Sequence, residues 1–194
     1  MFTEALESDP SPQALLYRSD EVPRQMNRLV SIANDAQALP TKRVYVMDSG
    51  MAAILGASKD VLAAAIKRIL VLDIATSHTV GAAMEGGVLC GFFEYHTQDV
   101  TVSRLDKLLQ NLPEGKLTHK QILAEGGHGA YSRKPFGYDQ VELILATGPR
   151  RSLAAESSLP IAFGAPWGDN MMTGTVGLLE AVRLREGLPA IEYI

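Results

Sequence analysis

Asp73 stands inside an apolar run, Ile69-Leu70-Val71-Leu72-Asp73-Ile74, that passes directly into the small polar stretch Ala75-Thr76-Ser77-His78-Thr79. A carboxylate in a buried strand is costly unless a metal, a cation or backbone amides pair with it. At a strand end beside hydroxyls, that pairing suits phosphate chemistry. Asp73 would hold a divalent cation through water, and Thr76, Ser77 and Thr79 would meet phosphate oxygens together with the turn amides. The plainer alternative is a carboxylate that caps the turn by accepting local amide bonds.

A second set comprises His78, His96 and His128, with Glu94. Three imidazoles, or two with a carboxylate, can hold a transition metal such as zinc, and His78 or His128 alone could act as acid, base or phosphate ligand. If Gly86-Gly87 is a two-residue hairpin turn, facing positions sum to 173, so residue 78 faces 95 and residue 77 faces 96. That register sends His78 and His96 to opposite faces; a shift of one residue would bring them together. Gly126-Gly127-His128-Gly129 and Thr147-Gly148 are turns where glycine lets backbone approach a ligand. Arg150, beginning the next element, could clamp an anion.

Periodicity and turn residues give the secondary structure that carries these groups. Residues 1 to about 20 read as a polar, proline-punctuated lead-in, flexible or dependent on a partner. The spacing predicts a helix over 22–38, a short strand at 43–47, a plain β-turn at Asp48-Ser49-Gly50 and a helix from Ser58 to about Lys67. Three strands then follow at 68–75, 78–85 and 88–95, the last two around Gly86-Gly87, as a β-meander. Beyond them come helices near 105–112 and 122–123, a strand at 141–146, a helix from Arg150, a strand at 161–163 and a helix over 170–185. A meander followed by βα units predicts a mixed α/β sheet with helices on both faces and ligands at the carboxyl ends of its parallel strands.

Composition narrows the classes of function. The 194 residues carry a net charge of -4 and no long basic run, which argues against nucleic acid as a partner. No apolar stretch is long enough to span a membrane, and the first twelve residues lack the features of a signal peptide. With a single cysteine, Cys90, the chain reads as cytoplasmic, and a cysteine-held iron–sulfur cluster is excluded.

The βββαβαβα order, with an acid ending the first strand, resembles the ribonuclease-H-like half-domain of the actin, Hsp70 and sugar-kinase ATPase superfamily. More closely, Asp73 to Thr79, Phe93-Glu94-Tyr95-His96-Thr97, Gly126 to Gly129, Thr147-Gly148-Pro149-Arg150-Arg151 and Ala165-Pro166-Trp167-Gly168-Asp169 resemble a prokaryotic family labelled as pyruvate formate-lyase-activating enzymes. The resemblance implies Mg2+ with ATP or ADP, Asp73 and His78 as catalytic candidates, and ligand contacts from Ser77, Thr79, Gly126, Gly127, His128, Gly129, Thr147, Gly148 and Arg150. It also implies that residues 1–67 are the tail of an earlier half-domain and 68–194 the ribonuclease-H-like domain, so that a homo-oligomer or a missing half would complete the structure. Radical activases of that label hold their cluster through three cysteines, which one cysteine cannot supply. Ala75 and Pro149 replace residues that usually approach phosphate in the superfamily, and they leave open a scaffold domain that has lost nucleotide. A histidine-based metal-dependent hydrolase is the third reading.

Overall fold

The computed structural model describes residues 2–191; Met1 and residues 192–194, the outer ends of the two expected segments, lie outside it. Its centre is a six-stranded mixed sheet. Strands β3 (Arg68–Ile74), β4 (His78–Glu85) and β5 (Val88–His96) form the meander, and Gly86 and Gly87 make its second turn with φ of 58° and 84°. β7 (Leu143–Thr147) pairs parallel to β3, β8 (Ile161–Phe163) pairs parallel to β7, and β6 (Gly129–Ser132) adds antiparallel to β5. The sheet order is therefore β6-β5-β4-β3-β7-β8. The edge strand β6 has no counterpart in the expectations above: four residues beginning in a glycine loop carry almost no period-2 signal.

Alternation along the strands divides two cores. Ile69, Val71, Val80, Ala82, Met84 and Leu145 face one side with α1 (Phe2–Ser8), α3 (Ser49–Ala57) and α6 (Thr173–Glu186). Leu70, Leu72, Ile74, Phe93, Tyr95 and Ile144 face the other with α4 (Val102–Asn111) and α5 (His119–Ala124). Helices thus cover both faces.

α3 is buried on every side from Met51 to Ala57. It crosses α6 at a backbone-to-backbone contact: a Cβ at Gly56 would lie 1.8 Å from the Thr173 carbonyl oxygen, and one at Gly177 would lie 1.8 Å from that of Ala52.

The first sixty-seven residues depart most from expectation. The polar lead-in is anchored, because Leu6, Leu15 and Leu16 are buried in the core and Pro10 accepts a hydrogen bond from the Leu89 amide at 2.7 Å. β1 (Leu16–Arg18) pairs antiparallel with β2 (Tyr45–Met47) in a small separate sheet. The expected helix over 22–38 is reduced to α2 (Asn27–Asp35) and one 3-10 turn over Ala36–Ala38. Asp48-Ser49-Gly50 starts α3 rather than a β-turn, the Asp48 carboxylate accepting the Met51 amide at 3.0 Å. The helix expected from Ser58 is absent: the Asp60 carboxylate accepts the Leu62 and Ala165 amides at 2.9 and 2.8 Å, holding Val61–Ala63 as one 3-10 turn.

Later, the helix expected from Arg150 is a 3-10 segment, Arg151–Glu156. The last helix begins at Thr173 after a separate 3-10 turn over Asn170–Met172, which leaves Met171 exposed.

Candidate functional site

The face of the sheet that packs on α3 turns polar at one end. The same alternation that buries Ile69 and Val71 carries Asp73 to this face, Val80 is preceded on it by His78, and Phe92 is followed by Glu94 and His96. Asp73, His78, Val80, Phe92 and Glu94 line a cleft with Arg28 of α2, Asp48, and Ser49, Gly50 and Met51 at the start of α3. Its volume is about 190 Å³, below the 300 Å³ or so at which whole drug-sized ligands are enclosed. It has room for a cation with a phosphate group, and the rest of a larger ligand would lie outside.

Asp73 is the most perturbed acid of the cleft, its pKa pushed up to about 6 by burial, against which the Thr147 hydroxyl works by donating to Oδ1 at 3.3 Å. Thr147 is opposite Asp73 in the parallel β3–β7 pairing, which sets that contact. Gly148 has a φ of 91°, and a Cβ there would lie 2.7 Å from Asp73 Oδ1 and 2.5 Å from the Ile74 carbonyl oxygen. Thr147 and Gly148 therefore seat the carboxylate. Asp48 also has its pKa raised by burial, with the Met51 and Gly50 amides and Arg28 working the other way. Two desolvated acids thus share one cleft with Glu94, and Arg28 is their nearby cation. Asp48 escaped sequence reasoning because its cap role was hidden by the Ser-Gly that follows; the signal was an acid directly after a short strand, as at Asp73.

The turn between β3 and β4 is tight, the Ala75 amide donating to the His78 carbonyl at 3.1 Å. Ala75, Ser77 and His78 line the cleft. Thr79 does not: it is fully buried, and its hydroxyl contacts that of Thr97 at 3.0 Å while Thr97 donates to the Ala75 carbonyl at 2.8 Å. Thr79 holds the turn from beneath and has no face toward a ligand. The Arg150 side chain is exposed on a separate open groove with Val102, Pro149 and Glu156, while its amide donates to the Ile74 carbonyl at 2.9 Å.

The histidines meet because the register is not the simple one. Facing positions sum to 173 only next to the turn, at Met84↔Leu89 and Glu85↔Val88; from Ala83↔Gly91 onward they sum to 174, leaving Cys90 unpaired in a β-bulge. His78 therefore faces His96. His128 joins them from the loop before β6, its amide donating to the Glu94 carbonyl at 2.8 Å. Gly126 to Gly129 serve this placement and lie outside the Asp73 cleft. A Cβ at Gly127 would meet Ile122 at 2.6 Å and Tyr95 at 2.9 Å, and one at Gly129 would meet the His119 ring at 2.4 Å. One donor atom from each of His78, His96 and His128 lies within 4.8 Å of the others. The His78 pKa is lowered by burial, with Glu94 opposing and the other two histidines and Arg28 adding to the effect.

Cys90 is buried, and burial raises the pKa of its thiol. Among the described residues no helix is long and apolar enough to cross a membrane.

A family model described as "Putative pyruvate format-lyase activating enzyme (DUF1786)" matches residues 1–153. No curated protein matches the chain. One buried cysteine, Cys90, does not supply the thiolate set of a cysteine-held iron–sulfur cluster. The match covers most of the chain's length, and the chain belongs to the DUF1786 family.

Proposed function

We propose that the chain binds the phosphate end of a small phosphorylated ligand, a nucleotide such as ATP or ADP being the leading class, together with a divalent cation in the Asp48–Asp73 cleft. The carrying observation is Asp73 itself: a carboxylate desolvated enough to raise its pKa to about 6, seated by Thr147 and Gly148, with no ion pair among the described residues. A bare phosphate would be repelled by Asp48, Asp73 and Glu94, so the ligand must bring positive charge. Mg2+ fits, because the cleft offers carboxylate and hydroxyl oxygens and the ion keeps much of its water.

When bound, Mg2+ would neutralise charge on phosphate oxygens and polarise the phosphoryl group. The protein's own part is to orient: Asp73 and Asp48 would hold the hydrated ion, the Ser77 hydroxyl at the exposed turn would meet phosphate, and Arg28 would add positive charge at the rim. The meander with β7 and β8 added in parallel beyond β3 supports the ribonuclease-H-like, actin-type ATPase reading. In that setting, catalysis of phosphoryl transfer is positioning and charge stabilisation.

Calorimetric titration of the chain with ADP or pyrophosphate, with and without Mg2+, tests this. Heat is expected only when ligand and Mg2+ are both present, and Asp73→Asn is expected to abolish it. Absence of heat under every condition would leave the scaffold reading in its place.

A further inference from the structure

We propose that His78, His96 and His128 form a site for one transition-metal ion of the zinc class, with an open coordination position that takes water or an anionic oxygen. The proposal is separate from the phosphate reading and uses none of its carboxylates as ligands.

Geometry supports it first. Nitrogens bound at about 2.0–2.1 Å to a tetrahedral zinc lie about 3.3 Å from one another. His96 Nε2 and His128 Nε2 stand 3.1 Å apart, so that pair already has the spacing of two ligands on one ion. The ring centroids of the three residues are 4.3 to 4.9 Å apart, and their planes are inclined by 38° to 75°. These mutual tilts suit three nitrogens converging on a point rather than rings stacked on one another.

The chemistry points the same way. Neutral imidazole is a favoured ligand of zinc, copper and nickel, whereas Mg2+ prefers oxygen. His78 is oriented from outside the cluster, its Nδ1 lying 2.9 Å from the Ser77 hydroxyl, which leaves Nε2 to serve as the ligand atom. His96 and His128 have each other as their hydrogen-bond partner on the Nε2 side.

Two local features bring the rings together. The bulge at Cys90 sets His96 across from His78, and the glycine loop with the Glu94 carbonyl holds His128 over them. Three protein ligands leave the fourth position free, as in zinc sites that bind water or substrate. His128 is exposed, so that position is open to solvent, and His78 and Glu94 also line the neighbouring cleft.

The full chain, stripped with EDTA and exchanged into metal-free buffer, should take up one Zn2+ by elemental analysis. It should also take up one Co2+, with the visible absorption of a four- or five-coordinate ion. His96→Ala and His128→Gln should each lose the stoichiometric metal, and Ser77→Ala should weaken zinc binding by roughly 10-fold through loss of ring orientation. Asp73→Asn should leave zinc uptake unchanged, which separates this test from that of the phosphate site. On the unaltered chain, 15N ring resonances of three histidines should move on adding Zn2+ while that of His119 stays. A folded apo chain that binds no zinc, a double His96→Ala/His128→Gln variant that binds it as before, or a zinc-induced shift confined to His119 would each overturn the proposal.

Discussion

His78 lies directly across from His96 because Cys90, six residues before His96, is left out of the β4–β5 ladder. Without that extra residue the even-numbered positions of β5 would change face, and Phe92, Glu94 and His96 would leave the side that carries Asp73. The bulge is tied down from outside: the Leu89 amide donates to Pro10, and the Cys90 carbonyl accepts the Arg133 and Lys134 amides at 2.8 and 3.2 Å. A thiol buried in this position, with its pKa raised by burial, should be inert. Labelling with a thiol reagent such as dithiobisnitrobenzoate should be at least about 100-fold slower in the native chain than in urea. Rapid native labelling would contradict the placement of Cys90.

The crossing of α3 and α6 reverses the usual effect of replacing glycine in a helix. Ala is favoured over Gly in a helix interior by about 1 kcal/mol. At Gly56 and Gly177 the added methyl would run into a facing carbonyl at 1.8 Å, so the helices must part. Gly56→Ala and Gly177→Ala should each destabilise by about 2–3 kcal/mol, read from the urea midpoint. Gly174→Ala, whose Cβ meets nothing within 4 Å, is the control and should be neutral or stabilising.

Glu180 is a buried acid in α6 that binds Arg183 through both oxygens, at 2.6 and 2.8 Å, and Lys59 at 3.1 Å. Removing one side of such a pair leaves charge without compensation in a poorly solvated place. Glu180→Ala should cost about 3–5 kcal/mol in denaturant unfolding. The exposed pair Arg18–Asp20 should contribute no more than about 1 kcal/mol when Asp20 is removed.

Asp73 gives the stability a pH dependence of definite sign. Its folded pKa of about 6 exceeds the ordinary 3.8, so between these values the folded chain holds a proton that the unfolded chain has released. Its contribution is full below about pH 4 and is lost as pH rises through 6. By neutral pH the ionised form costs up to about 3 kcal/mol. Asp73→Asn should therefore raise stability at pH 7.5 and change it little at pH 4, while abolishing cation-dependent ligand binding. Unfolding curves at the two pH values check the sign.

The meander was legible because Gly86-Gly87 and strict strand lengths announce it, and Asp73 was legible as an acid out of place in an apolar strand. α3 was not, because a helix buried on all sides has no amphipathic period; Met51 to Ala57 look alike from every direction. Asp48 was therefore missed along with the helix it caps. The grouping of the histidines depended on a one-residue bulge, and its one cue, Gly91 inside the strand, does not by itself say which way the register shifts. Leu6 and Leu15 show the converse difficulty, since isolated apolar residues in a polar stretch can still be core.

Binding of phosphate with a divalent cation in the Asp73 cleft should show directly in the thermal stability of the chain. Melting temperature of the chain with ADP, ATP or pyrophosphate, each with and without Mg2+, tests it most directly when run beside Asp73→Asn. A rise that needs both ligand and Mg2+, present in the parent and gone in the variant, is the predicted result. No rise with any combination, or an equal rise in Asp73→Asn, would contradict it.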